Sequence, residues 1–262
     1  MSEAPVIETA KRPQRCANMV AVASGKGGVG KTWLSVTLSQ ALAKNGRRVL
    51  LFDGDLGLAN VDIQLGLQPG RDLTGALAGQ YSLAEAAATH PEAGFDVIAG
   101  RSGSGGLAGL AALRFSSLLH DLAALSPRYD NTILDLGAGL ERSVRQLAAL
   151  AATSLIVATD EPTSLTDAYA FIKLAHRQDP KADIRIVINM AGSPAEGERT
   201  YATLLKACES FLKISPPLAG VIRRDPRVKD AIRHQIPTLT RHPVSDAAKD
   251  VEKLAQHLRR RG

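Results

Sequence analysis

Gly25-Lys26-Gly27-Gly28-Val29-Gly30-Lys31-Thr32 satisfies G-x-x-x-x-G-K-[ST] at every specified position. The apolar run Met19-Val-Ala-Val-Ala23 precedes it, and residues 31 to 45 after it repeat at helical spacing. That context makes it a phosphate loop between a strand and a helix. Glycines are needed there because backbone N–H groups approach phosphate oxygens with torsions that a Cβ forbids, and the helix N-terminus adds a favourable dipole. Lys31 is expected to neutralise the β- and γ-phosphates, and Thr32 to offer its hydroxyl to Mg²⁺. The expected nucleotide contacts in this region are Gly27, Gly28, Val29, Gly30, Lys31, Thr32 and Trp33.

Outward from the loop, short β-branched runs alternate with helical patterns. The strand runs are 49–52, 95–99, 132–134, 154–158, 184–188 and 218–222, and the helical segments are 107–125, 140–151, 165–177 and 197–213. This alternation predicts an α/β fold, doubly wound around a mostly parallel sheet of about seven or eight strands, in one domain over residues 19–262. Residues 1–18 read as a flexible N-terminal arm, because they mix acids with prolines and have no apolar core. The glycine-rich stretch 100–109 reads as a surface loop near the ligand face.

The totals exclude some classes. With 262 residues and 45% hydrophobic content the chain can bury a sizeable core. No run of about 18 apolar residues is present, so a spanning helix is excluded. Only two cysteines, Cys16 and Cys208, suit a reducing cytoplasm better than a disulfide framework. A net charge of +6 favours contact with nucleic acid or an anionic membrane surface, although a mildly basic surface without such a partner gives the same figure.

Three acids stand at strand ends. Val49 to Phe52 runs into Asp53-Gly54-Asp55, and Thr132-Ile-Leu134 runs into Asp135-Leu-Gly-Ala-Gly139. Open α/β sheets bind ligands at this edge. Asp55 is placed to orient an attacking water, Asp53 to hold a water of the Mg²⁺ shell, and Asp135 to act as the Walker B partner of the metal. A turn is the competing reading for Asp53-Gly54-Asp55. Asn189, closing the run from Ile184, can read an adenine edge or simply form a turn. Lys26 occupies a position where most phosphate loops accept any residue. It is either a solvated lysine or a cation that reaches a γ-phosphate held by a facing subunit, as an arginine finger does in trans.

Lys26 within the loop, the stretch Asp53–Asp62 and Asp135-Leu-Gly-Ala-Gly139 resemble the deviant Walker A ATPases of the MinD/ParA group, which are P-loop NTPases of the SIMIBI type. The resemblance covers about residues 19 to 260. The runs Gly57–Gly66, Glu161–Tyr169 and Val187–Met190 are most similar to the FlhG (FleN) family, regulators of flagellar number and placement. It implies a slow, partner-stimulated ATP hydrolase that uses ATP and Mg²⁺, with Lys26 acting across an ATP-dependent homodimer. In that scheme Lys26, Lys31 and Asp55 are catalytic, Thr32, Asp53 and Asp135 lie at the metal, Asn189 lies at the base, and Asp167 pairs with the partner's Lys26 region. It also implies a cytoplasmic protein with a flagellar or polar protein partner and peripheral membrane contact at the inner face of the cell membrane or a pole. Non-specific DNA binding in the ParA manner and MinD-like division-site regulation are the alternatives. Trp33 stands where relatives carry a small or polar residue, Thr37 replaces a frequent Asn, and Asp160 a frequent Pro.

Two further segments bear on partners. Residues 245–262 start with a Ser245 cap and place Val251, Leu254, Ala255 and Leu258 at helical spacing, which suits a last core-packing helix better than a membrane anchor. Arg223, Arg224, Arg227, Lys229 and Arg233 form a basic group around a helix start at Asp225. A solvated face is the plainer reading and a DNA surface the other.

Overall fold

The phosphate loop is launched by β1 (Cys16–Ser24), which lies in the interior of the sheet. The computed structural model describes residues 15–68, 70–100 and 112–259. Strands β2 (Val49–Gly54), β3 (Ala88–His90), β4 (Phe95–Ile98), β5 (Asn131–Ala138), β6 (Ala151–Ala158), β7 (Asp183–Ala191) and β8 (Leu218–Arg223) join β1 in an eight-stranded sheet. The order is β3-β4-β2-β5-β1-β6-β7-β8, parallel except where β3 meets β4. The expected doubly wound α/β architecture is the one observed. The short strand β3, with only three residues, was invisible as an apolar run.

The residue alternation along β1 explains the layers. Met19, Ala21 and Ala23 face one core, shared with Leu50 and Phe52 of β2 and with α4 (Ala112–Leu125), α5 (Arg142–Leu150), α6 (Pro162–Gln178) and α7 (Pro194–Leu212). Val20 and Val22 face the other, shared with Leu51, α1 (Lys31–Lys44) and α10 (Asp246–Arg259). Both faces of a parallel sheet are covered, so its strands are nearly continuous apolar runs and easily read. Shorter helices, α2 (Val61–Leu65), α3 (Leu73–Leu77), α8 (Pro226–Arg233) and α9 (Thr238–Arg241), fill the connections.

Several boundaries moved. β1 opens at Cys16, three residues before the expected Met19. The polar Asn18 interrupts the apolar pattern, yet its amide donates to the carbonyls of Ser126 and Tyr129 at 2.9 Å each and so ties the strand down. Helices α6 and α7 start at Pro162 and Pro194, ahead of 165 and 197, because proline is favoured in a first helical turn, where its missing N–H costs nothing. Most of the expected loop at 100–109, from Arg101 on, lies outside the described residues, as do residues 1–14 and 260–262.

α10 resolves the reading of the tail. The Ser245 hydroxyl accepts the Ala248 N–H at 3.2 Å, and Val251, Leu254 and Ala255 are buried against α1 and β8. Its apolar stripe is spent inside the protein. No described helix is long and apolar enough to cross a membrane.

α1 is buried on nearly every side although it carries Ser35, Thr37 and Ser39. Thr37 and Ser39 donate to the carbonyls four residues back, at 2.7 and 2.8 Å, and Ser35 gives its one proton to the Asp135 carboxylate at 2.9 Å, which satisfies polar groups that burial would otherwise penalise.

Candidate functional site

The site lies where β1, β2 and β5, adjacent in the sheet, end at their C-terminal edge. Gly28 and Gly30 have φ of 79° and 87°, so the loop occupies left-handed backbone at two positions before Lys31 opens α1. Close packing constrains it further. A Cβ on Gly25 would stand 2.2 Å from the Asp167 carbonyl oxygen, and one on Gly30 2.5 Å from Nδ2 of Asn189. That Asn189 nitrogen donates to the Val29 carbonyl at 2.8 Å. The Asn189 amide therefore clamps the loop with one N–H, which leaves its second N–H and its oxygen for a base.

Asp53 and Asp135 are register partners on β2 and β5, and both are 1% exposed. Burial, and then the charge of Asp135, push the Asp53 carboxyl up to about 7. Three backbone N–H groups, of Asp55, Asn60 and Val61, bind its oxygens at 3.2 Å. Burial likewise raises Asp135 to about 6, against hydrogen bonds from Thr32 and from Ser35 at 2.9 Å. Lys31 is lowered by burial, and the charges of Asp135 and Asp55 oppose that effect. Asp55 is half-buried, and its Oδ1 accepts the N–H groups of Gly57 and Leu58 at 3.3 and 2.9 Å. Three carboxyls and one lysine thus share a strand edge where isolated negative charge is costly, a setting that suits a hard divalent cation. No group of three or more His, Cys, Asp or Glu side chains among the described residues is arranged to hold a metal by itself. A dication there would draw on the Thr32 hydroxyl and on phosphate oxygens.

Lys26 leaves the loop towards α6. Its ammonium pairs with Glu161 and donates to Thr163 Oγ1 at 2.8 Å. Glu161 is exposed, and the Lys26 hydrogen bond and charge hold its carboxyl below the usual range.

The CobQ/CobB/MinD/ParA nucleotide-binding domain matches residues 20–238. The chain belongs to that family. Within it, the antiactivator FleN of Pseudomonas aeruginosa is 39% identical over 91% of this chain and 85% of its own length. The flagellum site-determining protein YlxH of Helicobacter pylori is 33% identical over 82% and 73%. The septum site-determining protein MinD of Pyrococcus horikoshii, solved with Mg-ADP, superposes with a TM-score of 0.77 at 25% identity, covering 93% of this chain and 96% of that one. The protein is thus a FlhG-like member of the MinD/ParA group, an ATP-binding P-loop family of ATPases.

Trp33, expected among the nucleotide contacts, has its side chain turned into the core. The Trp33 side chain is 5% exposed, packs into the α1 core and donates its indole N–H to Thr238 Oγ1 at 2.8 Å. The indole braces α9, so the side chain is committed to the core. Asp167 is brought to the loop through its backbone, against Gly25, while the group that receives Lys26 within the chain is Glu161. Arg223, expected in a basic face, is bound to Asp246 and Asp250, and the Asp225 carboxylate caps α8 at the Arg227 N–H. Ser35 and Thr163 escaped the sequence reading. Ser35 stands four residues after Lys31 and so on the same helix face, which is a usable signal. Thr163 had none.

The buried acids of this MinD/ParA-family site have a pH signature. A folded carboxyl raised to about 7 binds its proton more tightly than the unfolded chain does, so its contribution is complete below the ordinary carboxylate range and is lost as pH rises to about 7. Each such group changes stability by at most about 1.4 kcal/mol per pH unit. Thermal melts of the metal-free protein from pH 5 to 8 should show a falling contribution that Asp53→Asn flattens. Parallel profiles for the two proteins would refute the assignment.

Proposed function

We propose that this protein is a Mg²⁺-dependent ATPase that works as an ATP-driven monomer/dimer switch in the control of flagellar number or placement, with slow, partner-stimulated hydrolysis in the cytoplasm. The observation that carries the reading is the convergence of a complete phosphate loop with Asp53, Asp55 and Asp135 at one strand edge, with Lys26 held at the rim by an exposed carboxylate. Similarity to FleN and YlxH supports the flagellar role.

In this reading the loop amides from Gly27 to Gly30 and the Lys31 ammonium hold the phosphates. Thr32 would ligate Mg²⁺, with Asp53 and Asp135 placed to hold waters bound to it. Bound Mg²⁺ supplies charge neutralisation on the β- and γ-phosphates. Asp55 orients a water in line with the γ-phosphorus. Lys26 exchanges the exposed Glu161 for the γ-phosphate of a facing subunit. An exposed ion pair contributes little stability, so releasing it is a small cost against a triphosphate. The protein partner is then a flagellar or polar factor that meets the dimer. The chromosome-binding alternative is less supported because Arg223 is already spent on Asp246 and Asp250.

Size-exclusion chromatography with light scattering tests the switch. With Mg·ATP, Asp55→Ala should bind nucleotide, fail to hydrolyse it and accumulate as dimer. Lys26→Ala should bind nucleotide and stay monomeric. Equal monomer populations for wild type and Asp55→Ala would sink the switch, and an unaltered dimer in Lys26→Ala would return that lysine to the solvated surface.

A further inference from the structure

We infer that Gly100 is a positioning residue of the ATPase site, acting through Ala59 on the carboxylates of Asp53 and Asp55; this rests on the ATPase reading above. The segment from Asp55 to Val61 is held by its own backbone. Asp53 accepts the N–H groups of Asp55, Asn60 and Val61, and Asp55 Oδ1 accepts those of Gly57 and Leu58. Five amides of seven consecutive residues therefore hold both carboxylates, and any displacement of this segment moves both.

The segment is also seated by a close approach to Gly100. Ala59 is 9% exposed, and its side chain points at Gly100, just beyond β4. A Cβ built on Gly100 would lie 2.5 Å from Cβ of Ala59 and 3.8 Å from Oδ2 of Asp53. The Gly100 φ lies outside the left-handed region, so what a Cβ there violates is the space beside Ala59. A methyl group at 100 must push Ala59 away by about 1 Å to regain ordinary van der Waals contact. Ala59 sits between Leu58 and Asn60, whose N–H groups bind different carboxylates. The push therefore falls on the link that couples Asp55 to Asp53. The phosphate loop is on other elements and is not touched, so nucleotide affinity and turnover should separate.

The test is a methyl exchange. Gly100→Ala should lower kcat about 10- to 100-fold, the usual cost of misplacing a catalytic group by about 1 Å, with KM for ATP within about threefold of wild type. Moving the methyl, in Ala59→Gly/Gly100→Ala, removes the Cβ–Cβ clash and should return kcat to within about threefold of wild type. An unchanged kcat in Gly100→Ala, or a double variant no better than the single one, overturns the inference. If Gly100→Ala does not fold, the exchange variant carries the test alone and must fold and turn over. A wild type that does not hydrolyse ATP would instead defeat the ATPase reading. Mg²⁺-dependent thermal stabilisation, which Gly100→Ala must lower and the exchange restore, then still decides the role of Gly100.

Discussion

Lys31→Ala is expected to weaken Mg·ATP binding by more than about 100-fold and to leave no measurable turnover. The lysine feels the charges of Asp135 and Asp55, and it is 8% exposed, so its own charge acts in a weakly screened setting. Its removal takes away charge-assisted hydrogen bonds to phosphate, each contributing about 1.5 to 3 kcal/mol. It also leaves Asp55 and Asp135 facing the same phosphates without compensation, and this second effect pushes the loss beyond that of a single contact. Trp33 is the only tryptophan in the chain and lies two residues away, so its fluorescence provides the titration signal. Binding within threefold of wild type would remove Lys31 from the site.

Gly25→Ala should act on the fold as much as on the ligand. Its methyl group would meet the carbonyl oxygen, carbonyl carbon and Cβ of Asp167 at 2.2, 2.4 and 2.7 Å, and two of these atoms are helix backbone that cannot rotate away. Overpacking of this kind costs about 1 to 3 kcal/mol, which for a chain of this size lowers the melting temperature by roughly 3 to 10 °C. The loop start would separate from α6, and nucleotide affinity would fall with it. Gly28→Ala is the matched control. Nothing lies within 4 Å of its Cβ, but φ is 79°, so it carries torsional strain of about 1 kcal/mol without a clash. A melting point for Gly25→Ala no lower than that for Gly28→Ala would show that the α6 contact is slack.

The two predictions separate what each level of description supplies. The phosphate loop was legible because its chemistry is local: the glycine torsions, the lysine and the hydroxyl lie within eight consecutive residues, flanked by a strand and a helix. The acids were legible for a similar reason, since a buried parallel strand is an apolar run interrupted at its first charge; Asp53 and Asp55 flank the end of β2, whereas Asp135, expected to close its strand, lies within β5, which runs on to Ala138. Alternation of runs then indicated the doubly wound fold. Residues whose role depends on a partner far along the chain were less legible. Trp33, beside the loop, was expected to touch ligand, yet its indole is claimed by Thr238, 205 residues away. Asn189 closes the apolar run from Ile184 but lies within β7, which extends to Ala191, and the bond from its nitrogen to Val29 needs the strand and the loop side by side.

Spacing along a regular backbone is enough to give the phosphate loop, the alternation of the long strands and helices, and the acids that follow apolar runs, whereas the three-residue β3 and the short helices α2, α3 and α9 carry no such pattern. Which of those groups meet is set by packing. The register of β2 on β5 sets Asp53 against Asp135, the seating of α6 presses Asp167 onto Gly25 and brings Glu161 to Lys26, and the space at Gly100 admits Ala59. These are contacts between distant segments, fixed by packing both faces of the sheet, and no local pattern encodes them.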